Sequence, residues 1–331
     1  MDKEKITLAI PVFNASSFIL RALESAYFQT YDNYEILIID NASVDDTLKI
    51  IESFQDSHKE RNIRIIRHPQ NMGLGASKNT AIEKADGKYL FFMDADDVIY
   101  PYTLEKLYSA AKEYEGTQMV VGSIRRENVQ REFLFNELCN NEYCEGQYAA
   151  ISSNNFFYQP TWNKLYLISF LRENNIRCIP HHLHEDLWFS FQMACVATKV
   201  VFIKDITYIY IYNSLSICSS SKGNISVKMA NEMVEICEHE YHSIKNDIRY
   251  NNYRFENMYV GLLVGTAMEI LVSPQITQKK QYINKLKLLY IRPSLNAKLA
   301  IRLRIFVIGE YVFPFYFNIL LYSKIKKILF K

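Results

Sequence analysis

The sequence lacks the patterns that mark several specialised classes of protein. Its six cysteines form no C-x-x-C pair, and its first residues, MDKEK, lead directly into an apolar stretch without the features of a signal peptide. We therefore expect a cytosolic protein with reduced, mostly buried thiols and no cysteine-based metal or disulfide framework. A net charge of +2 is also too small for a dedicated nucleic-acid-binding protein. With 331 residues, no internal repeat and no low-complexity linker, the chain is long enough for one large domain or two smaller ones.

The charge is unevenly distributed along the chain. Residues 298–331 carry seven lysines and arginines against Glu310 alone, a net charge of +6. Between the basic clusters, residues 305–323 are almost wholly apolar and aromatic, although Gly309, Glu310 and Pro314 interrupt them. We expect residues 298–331 to make peripheral contact with the cytoplasmic leaflet of a membrane, with the basic side chains on anionic headgroups. The alternatives are an aromatic helix that closes the core or an oligomer interface, and a complete membrane span.

The first 122 residues alternate between apolar stretches typical of strands and stretches typical of helices. Strands are predicted at 6–12, 34–40, 63–68, 88–94 and 118–122, and helices at 16–29, 45–55, 75–85 and 101–113. Ser16 is a plausible cap for the first helix. This alternation predicts an α/β fold with a mostly parallel sheet between helices. Ligands of such sheets gather at the carboxyl ends of the strands, where Asp40 and Asp94 lie.

Beyond residue 123 the pattern is mixed. Helices are predicted at 162–174 and 184–197, strands at 199–203 and 207–212, and helix alone from residue 224 onward. We therefore expect an α/β domain over residues 1–220 and a helical C-terminal extension over residues 221–331.

The stretch DADD, residues 94–97, crowds three carboxylates behind a predicted strand. Asp94 and Asp96 offer the hard oxygen ligands that suit Mg²⁺ or Mn²⁺, and such a metal in turn binds a diphosphate. The alternative is that Asp96 or Asp97 caps the helix near Pro101, and both interpretations can hold at once.

Two further stretches follow the second and third strands. In DNASVDD, residues 40–46, Asp40 is placed to meet a ligand, whereas Ser43, Asp45 and Asp46 are equally typical of a helix N-terminus. In NMGLGASKN, residues 71–79, Lys78 stands where a dinucleotide fingerprint has its third glycine, so a cofactor site is weakly indicated and a lysine near a phosphate is favoured.

The stretch HHLHEDLWF, residues 181–189, combines three histidines with two acids. A metal cluster is one interpretation, but histidines in such positions are more often solvated or structural. Glu185 and Asp186 begin an apolar helix, and a carboxylate held in a cleft there can accept a proton from an attacking sugar hydroxyl.

In their order along the chain, these stretches resemble the motifs of the family 2 inverting glycosyltransferases of bacterial surface-polysaccharide type, which have the GT-A fold. The matching stretches are IPVFN (10–14), DNASVDDT (40–47), NMGLGASKN (71–79), ADGKYLFFMDADD (85–97), WNKLY (162–166) and HEDLWF (184–189). The resemblance covers about residues 5–215. It implies transfer of a sugar from a nucleoside-diphosphate sugar, expected to be UDP-linked, to a hydroxyl of a glycan or lipid-linked acceptor.

The resemblance also implies roles for individual residues. The residues expected to bind donor or acceptor are Pro11, Phe13, Asn14, Asp40, Asn71, Gly73, Lys78, Asn79, Asp94, Ala95, Trp162, Asn163 and Lys164. Among them, Asp40 would bind the base, expected to be uracil. Asp96 would bind Mn²⁺ or Mg²⁺, Asp186 would be the catalytic base, and Glu185 would assist acceptor or donor placement. The family usually has arginine in place of Lys78, and lysine keeps the charge but loses the two-pronged guanidinium geometry.

Two rival classes of function remain at this point. A nucleotidyltransferase also uses an acidic pair at a strand end, but it would have no role for Glu185 and Asp186 and usually has a glycine- and arginine-rich phosphate loop, which is absent after Val12. A non-catalytic glycan-binding or scaffold protein would have no need of Asp96 and Asp186. A homo-oligomer is compatible with either class, and we expect the protein at the cytoplasmic face of the cell membrane.

Overall fold

The structure is a computed structural model of the 331-residue chain, and it describes residues 3–127, 140–147, 149–152, 159–213, 224–246 and 253–289. The chain divides into two compact units, Met1–Asn213 and Ser214–Lys331. The expected boundary near residue 220 and the basic, aromatic stretch 298–331 lie outside the described residues, so both stay predictions.

Strands and helices alternate regularly over the first 113 residues. The strands are β1 (Ile6–Val12), β2 (Tyr34–Asp40), β3 (Ile63–Arg67), β4 (Tyr89–Phe92) and β5 (Val98–Ile99), and the helices are α1 (Ile19–Tyr27), α2 (Thr47–Ser57), α3 (Leu74–Lys84) and α4 (Thr103–Glu113). Every residue of β1 and β2 is buried, as in strands that are covered on both faces.

The remaining elements of the first unit complete the sheet. They are β6 (Met119–Glu127), β7 (Glu142–Glu145), α5 (Ala149–Ser152), β8 (Lys164–Leu167), α6 (Ile168–Glu173), α7 (Glu185–Val196) and β9 (Lys199–Ile211). The described strands form one sheet in the order β3-β2-β1-β4-β8-β6-β9-β5, and β7 also pairs with β9. β1 to β4 are parallel, and β8 runs antiparallel to both β4 and β6. The predicted α/β class is confirmed.

Two predicted elements are corrected by the sheet. The predicted helix at 162–174 contains β8, and only Ile168–Glu173 is helical, because pairing with β4 and β6 outweighs the local helical pattern. The strands predicted at 199–203 and 207–212 are one strand, β9, whose register against β6 shifts between Phe202 and Ile206.

The second unit is helical in its described part. Its helices are α8 (Val227–Asn246), α9 (Tyr253–Val272) and α10 (Lys279–Leu288). The Tyr259 hydroxyl donates a 2.5 Å hydrogen bond to the Leu289 carbonyl, which ties α9 to the end of α10. Among the described residues, no helix has the length and the apolar character that crossing a bilayer requires.

Candidate active site

The loop after β4 brings three carboxylates together. One oxygen from each of Asp94, Asp96 and Asp97 lies within 4.8 Å of the others, and the described residues contain no other such group of three metal-ligating side chains. All three donors are carboxylate oxygens, which Mg²⁺ and Mn²⁺ prefer. The loop therefore fits the predicted metal by its donor chemistry.

Asp97 differs from the other two acids because its carboxylate is already bound to β9. It accepts hydrogen bonds from the Tyr208 hydroxyl and from the Ile211 backbone N–H, both at 2.8 Å. Burial, with the charges of Asp94 and Asp96, raises the pKa of Asp97 to about 8. Asp97 thus anchors the loop to the sheet.

The alternative that Asp97 or Asp96 starts the following helix is wrong. Helix α4 begins at Thr103, after Tyr102 at its N-cap position, and no side chain caps it. The backbone carbonyl of Asp96 instead accepts a 2.7 Å hydrogen bond from Arg21, and its carboxylate accepts a 3.4 Å hydrogen bond from the Asn213 amide.

Helix α7 begins with the predicted acidic pair. Glu185 is 3% exposed and its Oε1 lies 2.6 Å from Nζ of Lys78, which is 2% exposed. Burial raises the pKa of Glu185, and Lys78 lowers it only in part. Asp186 is half-buried.

Burial raises the pKa of Asp94 to about 7, against the opposing effect of Lys78, and the charges of Glu185 and Asp186 also raise it. The acids of the two motifs therefore lie in one electrostatic environment.

The third predicted motif packs α3 against the segment that precedes α7. Gly73 has a φ of +82°, and a Cβ there would lie 2.6 Å from the His181 backbone nitrogen. A Cβ at Gly75 would lie 2.4 Å from the Ile179 carbonyl oxygen. Both positions therefore require glycine because two backbones approach closely, a reason that involves no bound dinucleotide.

Asn79 and Lys78 of this motif also contact protein. The Asn79 amide donates to the Cys178 carbonyl at 2.9 Å and accepts from the Cys178 N–H at 2.8 Å. For Gly73, Lys78 and Asn79, contact with substrate stays a prediction.

The loops after β1 and β2 hold each other at the expected nucleotide end. The Asn14 N–H donates to Ser43 Oγ at 3.0 Å, and the Val44 N–H donates to Asn14 Oδ1 at 2.9 Å. Pro11 is buried within β1, whereas Phe13 is 43% exposed and Val44 87% exposed. Two apolar side chains are thus exposed at this edge.

Of the predicted helix caps near this edge, Ser16 and Ser43 cap no helix, whereas Asp45 accepts a 3.1 Å hydrogen bond from the N–H of Thr47, the first residue of α2. Ser16 precedes Phe18, the N-cap residue of α1, and its N–H donates to Asp45 at 3.1 Å. Helix α2 has Asp46 at its N-cap position without a side-chain cap, so Ser43 links two loops instead of capping a helix.

Asp40 is fully buried at the end of β2. Its Oδ1 accepts a hydrogen bond from the Ser43 N–H at 3.1 Å, and its Oδ2 lies 3.4 Å from Nε of Arg67. Asp40 has no exposed surface in this structure, and its contact with a base stays a prediction. Nearby, Asn71 accepts a 2.9 Å hydrogen bond from Asn41, which joins the second and third motifs.

The stretch WNKLY buries four of its five residues and leaves only Trp162 half-buried. The Trp162 ring is half-buried and stacks on Tyr208 and Tyr210, with ring centroids 4.6 and 5.9 Å apart. Asn163 is fully buried, and its amide bonds to Gly122, Ser123 and Thr207. The structure therefore buries Asn163 in hydrogen bonds to β6 and β9, away from the surface where a sugar contact was predicted.

Lys164 is fully buried as well. Its ammonium donates to the Pro160 carbonyl oxygen. Burial lowers the pKa of Lys164 well below the usual range, and the charge of Asp186 opposes this shift. Ala95, another predicted contact residue, is partly buried against the core.

Tyr208 and Arg21 are site residues that the sequence analysis missed. The Tyr208 hydroxyl accepts from the Asp94 N–H at 3.0 Å and donates to Asp97, so it fixes the loop at two points. The alternating tyrosines of TYIYIY are a signal for one strand face, but only the register of β9 shows what that face contacts. Among the described residues, the three histidines before α7 join no group of possible metal ligands.

The comparison with protein families decides the identity of this arrangement. The profile of glycosyl transferase family 2 matches residues 7–184, more than half of the chain. The chain belongs to this family. A cholesterol galactosyltransferase of Borreliella burgdorferi is 30% identical over 239 residues, which are 69% of this chain and 64% of that protein. The glycosyltransferase GlyA of Streptococcus pneumoniae is 27% identical over 217 residues, 62% of this chain and 30% of that protein. The chain thus spans less than two thirds of these relatives.

Solved structures support the same fold. A fragment of S. aureus TarS, residues 1–349 in complex with UDP-GlcNAc, has a TM-score of 0.69 at 18% identity and covers 91% of this chain and 86% of its own. The mannosyltransferase PcManGT from Pyrobaculum calidifontis, in complex with GDP-Man and Mn²⁺, has a TM-score of 0.54 at 14% identity and covers 90% and 78%. The predicted family and fold class are confirmed, and the general class of enzyme, a glycosyltransferase, follows from the family.

Proposed function

We propose that this family 2 protein transfers a sugar from a nucleoside-diphosphate sugar, expected to be a UDP-sugar, to a hydroxyl of a glycan or lipid-linked acceptor. The observation that carries the proposal is the group of three carboxylates after β4, Asp94, Asp96 and Asp97, whose oxygens lie within 4.8 Å of one another in a chain of this family. The UDP-GlcNAc held by the TarS fragment supports a nucleotide-sugar donor.

Asp94 and Asp96 are the residues that would hold Mg²⁺ or Mn²⁺. Their carboxylates are close enough to share one ion, and Asp97 keeps the loop in place through β9. A bound metal would neutralise the negative charge that develops on the departing nucleoside diphosphate. The Mn²⁺ in the PcManGT complex supports this assignment.

Asp186 is the proposed catalytic base. It is half-buried, so an acceptor hydroxyl can reach its carboxylate, whereas its neighbour Glu185 is closed off by Lys78. The hydroxyl attacks the anomeric carbon, its proton passes to Asp186, and the bond to the diphosphate breaks on the opposite face. One such displacement inverts the anomeric centre, so an α-linked donor gives a β-linked product.

The other side chains of the site have binding roles in this proposal. Phe13 and Val44 offer apolar surface to the base, and the Trp162 ring offers a flat face against which a sugar packs. Asp40, at the end of β2, is the proposed contact of the base.

The proposed place of action is the cytoplasmic face of the membrane, where acceptors for surface polysaccharides are made. The support is the net charge of +6 over residues 298–331 and the apolar, aromatic stretch between its basic clusters. Deletion of residues 298–331 should release the protein from membranes in fractionation, and unchanged fractionation would show that another contact holds it.

A panel of nucleotide sugars tests the reaction. The purified protein should release nucleoside diphosphate from one donor with Mn²⁺ and lose this activity with a chelator and in Asp96→Ala. Metal-independent turnover would remove the metal from the proposal. Binding of a glycan without turnover of any donor would favour the non-catalytic alternative.

A further inference from the structure

Residues 178–185, which lead into α7 and include its first residue, are attached to α3 and to Met72, two residues before α3. At the beginning of the segment, Asn79 and Cys178 exchange two hydrogen bonds, and Gly75 lies close to Ile179. Further along, the His181 N–H donates a 3.2 Å hydrogen bond to the Met72 carbonyl. At the end, Lys78 and Glu185 form an ion pair. We call this set of contacts the α3 clasp. Its last member, Glu185, is the residue before Asp186.

The ion pair of the clasp is unusual in its burial. Both side chains are at most 5% exposed, and Nζ lies 2.6 Å from Oε1. Removing two charges from water costs roughly what their attraction returns, so such a pair is weak evidence for stability alone. It does fix geometry, because each charged group has a strong energetic reason to keep its partner.

The start of α7 depends on this pair for its position. His184 is at the N-cap position, and no side chain caps the helix. Glu185 is the first helical residue, and its carboxylate is paired with Lys78. The Glu185 side chain also packs against the backbone of Gly75, because a Cβ added at Gly75 would lie only 3.0 Å from the Cβ of Glu185. A shift of Glu185 would therefore move Asp186 with it.

On the basis of the proposed function, we propose that Lys78 and Glu185 are positioning residues, whose buried ion pair sets Asp186 against the acceptor hydroxyl. In this arrangement the Lys78 ammonium serves the base and does not bind the donor diphosphate.

A double-mutant cycle on turnover tests the pair. Lys78→Met and Glu185→Gln should each lower kcat by about 100-fold, because small displacements of a catalytic group have effects of this order. The kcat of the double variant should be no lower than that of either single variant, because each of the three variants removes the same interaction. The donor KM and the affinity for UDP should remain at wild-type values throughout. Lys84→Met, an exposed charge at the end of the same helix, is the matched control.

A direct role of Lys78 on the diphosphate predicts a different pattern. Lys78→Met would then raise the donor KM and weaken UDP binding, Glu185→Gln would leave both unchanged, and the two effects on kcat would add. That pattern would overturn the proposal.

Amide hydrogen exchange gives a readout that does not require turnover. Glu185→Gln should increase exchange over residues 184–188 and leave exchange in β1 and β2 unchanged. Unchanged exchange at the start of α7 would overturn the positioning role even if the wild-type protein proved to have no transferase activity. If exchange increases in Glu185→Gln but the wild-type protein turns over no donor, the proposed function is contradicted, while the role of the ion pair in holding the start of α7 is supported.

Discussion

The two units bury a glutamate in opposite ways. In the first unit, Glu185 faces the ammonium of Lys78 at 2.6 Å, and a second acid, Asp186, lies half-buried beside it. In the helical unit, Glu240 is equally buried on α8, but its Oε2 has no hydrogen-bond partner among the described residues, and burial raises its pKa well above the usual range. The difference is the counter-charge, which Lys78 supplies to Glu185 in the first unit. In the second unit, burial favours the neutral form of Glu240.

The largest expected effect concerns the acid beside the paired glutamate. Asp186→Asn should lower kcat by about 100- to 10,000-fold, because the amide cannot accept the proton of the acceptor hydroxyl. The donor KM should change little. Steady-state kinetics with the active donor measures both, and full activity in Asp186→Asn would remove this residue from the role of base.

The next effect breaks the ion pair. Lys78→Met should lower the free energy of unfolding of the first unit by about 3–5 kcal/mol, because Glu185 is then buried without a counter-charge. Trp162 and Trp188, the two tryptophans of the chain, lie in this unit, so tryptophan fluorescence in a denaturant titration reports its unfolding. Lys78→Met combined with Glu185→Met should recover most of the loss, since no charge is left buried. A stable single variant would show that the pair is better solvated than its burial indicates.

Substitution of Glu240 should have a smaller effect on the free energy of unfolding, and it should raise this free energy. Because burial raises its folded-state pKa above the unfolded value, stability is complete at low pH and is lost as the pH rises from about 4.3, the unfolded value, through the folded one. Glu240→Gln should therefore stabilise the helical unit by about 1–2 kcal/mol at pH 7 and flatten this dependence. Thermal unfolding followed by far-ultraviolet circular dichroism measures it. Glu238→Gln, a half-buried neighbour on the same helix, is the matched control and should change neither. A less stable Glu240→Gln would contradict burial of the acid in its protonated form.

The smallest expected effect runs in the other direction with pH. His68 lies between Asn41 and Thr80, and burial lowers its pKa, so the folded state prefers the neutral ring. Stability of the first unit should be complete above the unfolded pKa of about 6.5 and fall as the pH drops below it. Tryptophan fluorescence melts at pH 7.5 and 5.5 should show the fall in the wild type and a reduced one in His68→Gln. An equal fall in both would assign the dependence to other groups.

The sequence predicted most of the fold where local pattern and burial agree. β1 and β2 have the predicted limits because every one of their residues is apolar or buried within a parallel sheet. β8 was missed because Lys164–Leu167 becomes a strand only through its partners β4 and β6, which lie far away in the sequence. No local pattern contains that information.

The sequence predicted the acidic residues of the candidate site but not the residues that contact one another there. Asp94, Asp96 and Asp186 could be named because their residue type and order are specific to the family, although their individual roles stay predictions. The partner of Asp97, the burial of Asn163 and the pairing of Lys78 depend on how β9, β6 and α7 approach them. These contacts join segments that are far apart in the sequence, so no local sequence pattern predicts them.

The clasp also has a consequence for the order in which the protein is made. Lys78 leaves the ribosome 107 residues before Glu185, whereas β1, β2, β3 and β4 are complete by residue 92. The nascent chain can therefore build a parallel half-sheet long before the counter-charge of Lys78 exists, and α3 has to wait for its last contacts. A chain that stops before residue 178 would retain every apolar strand of that half-sheet and still leave a lysine without its partner.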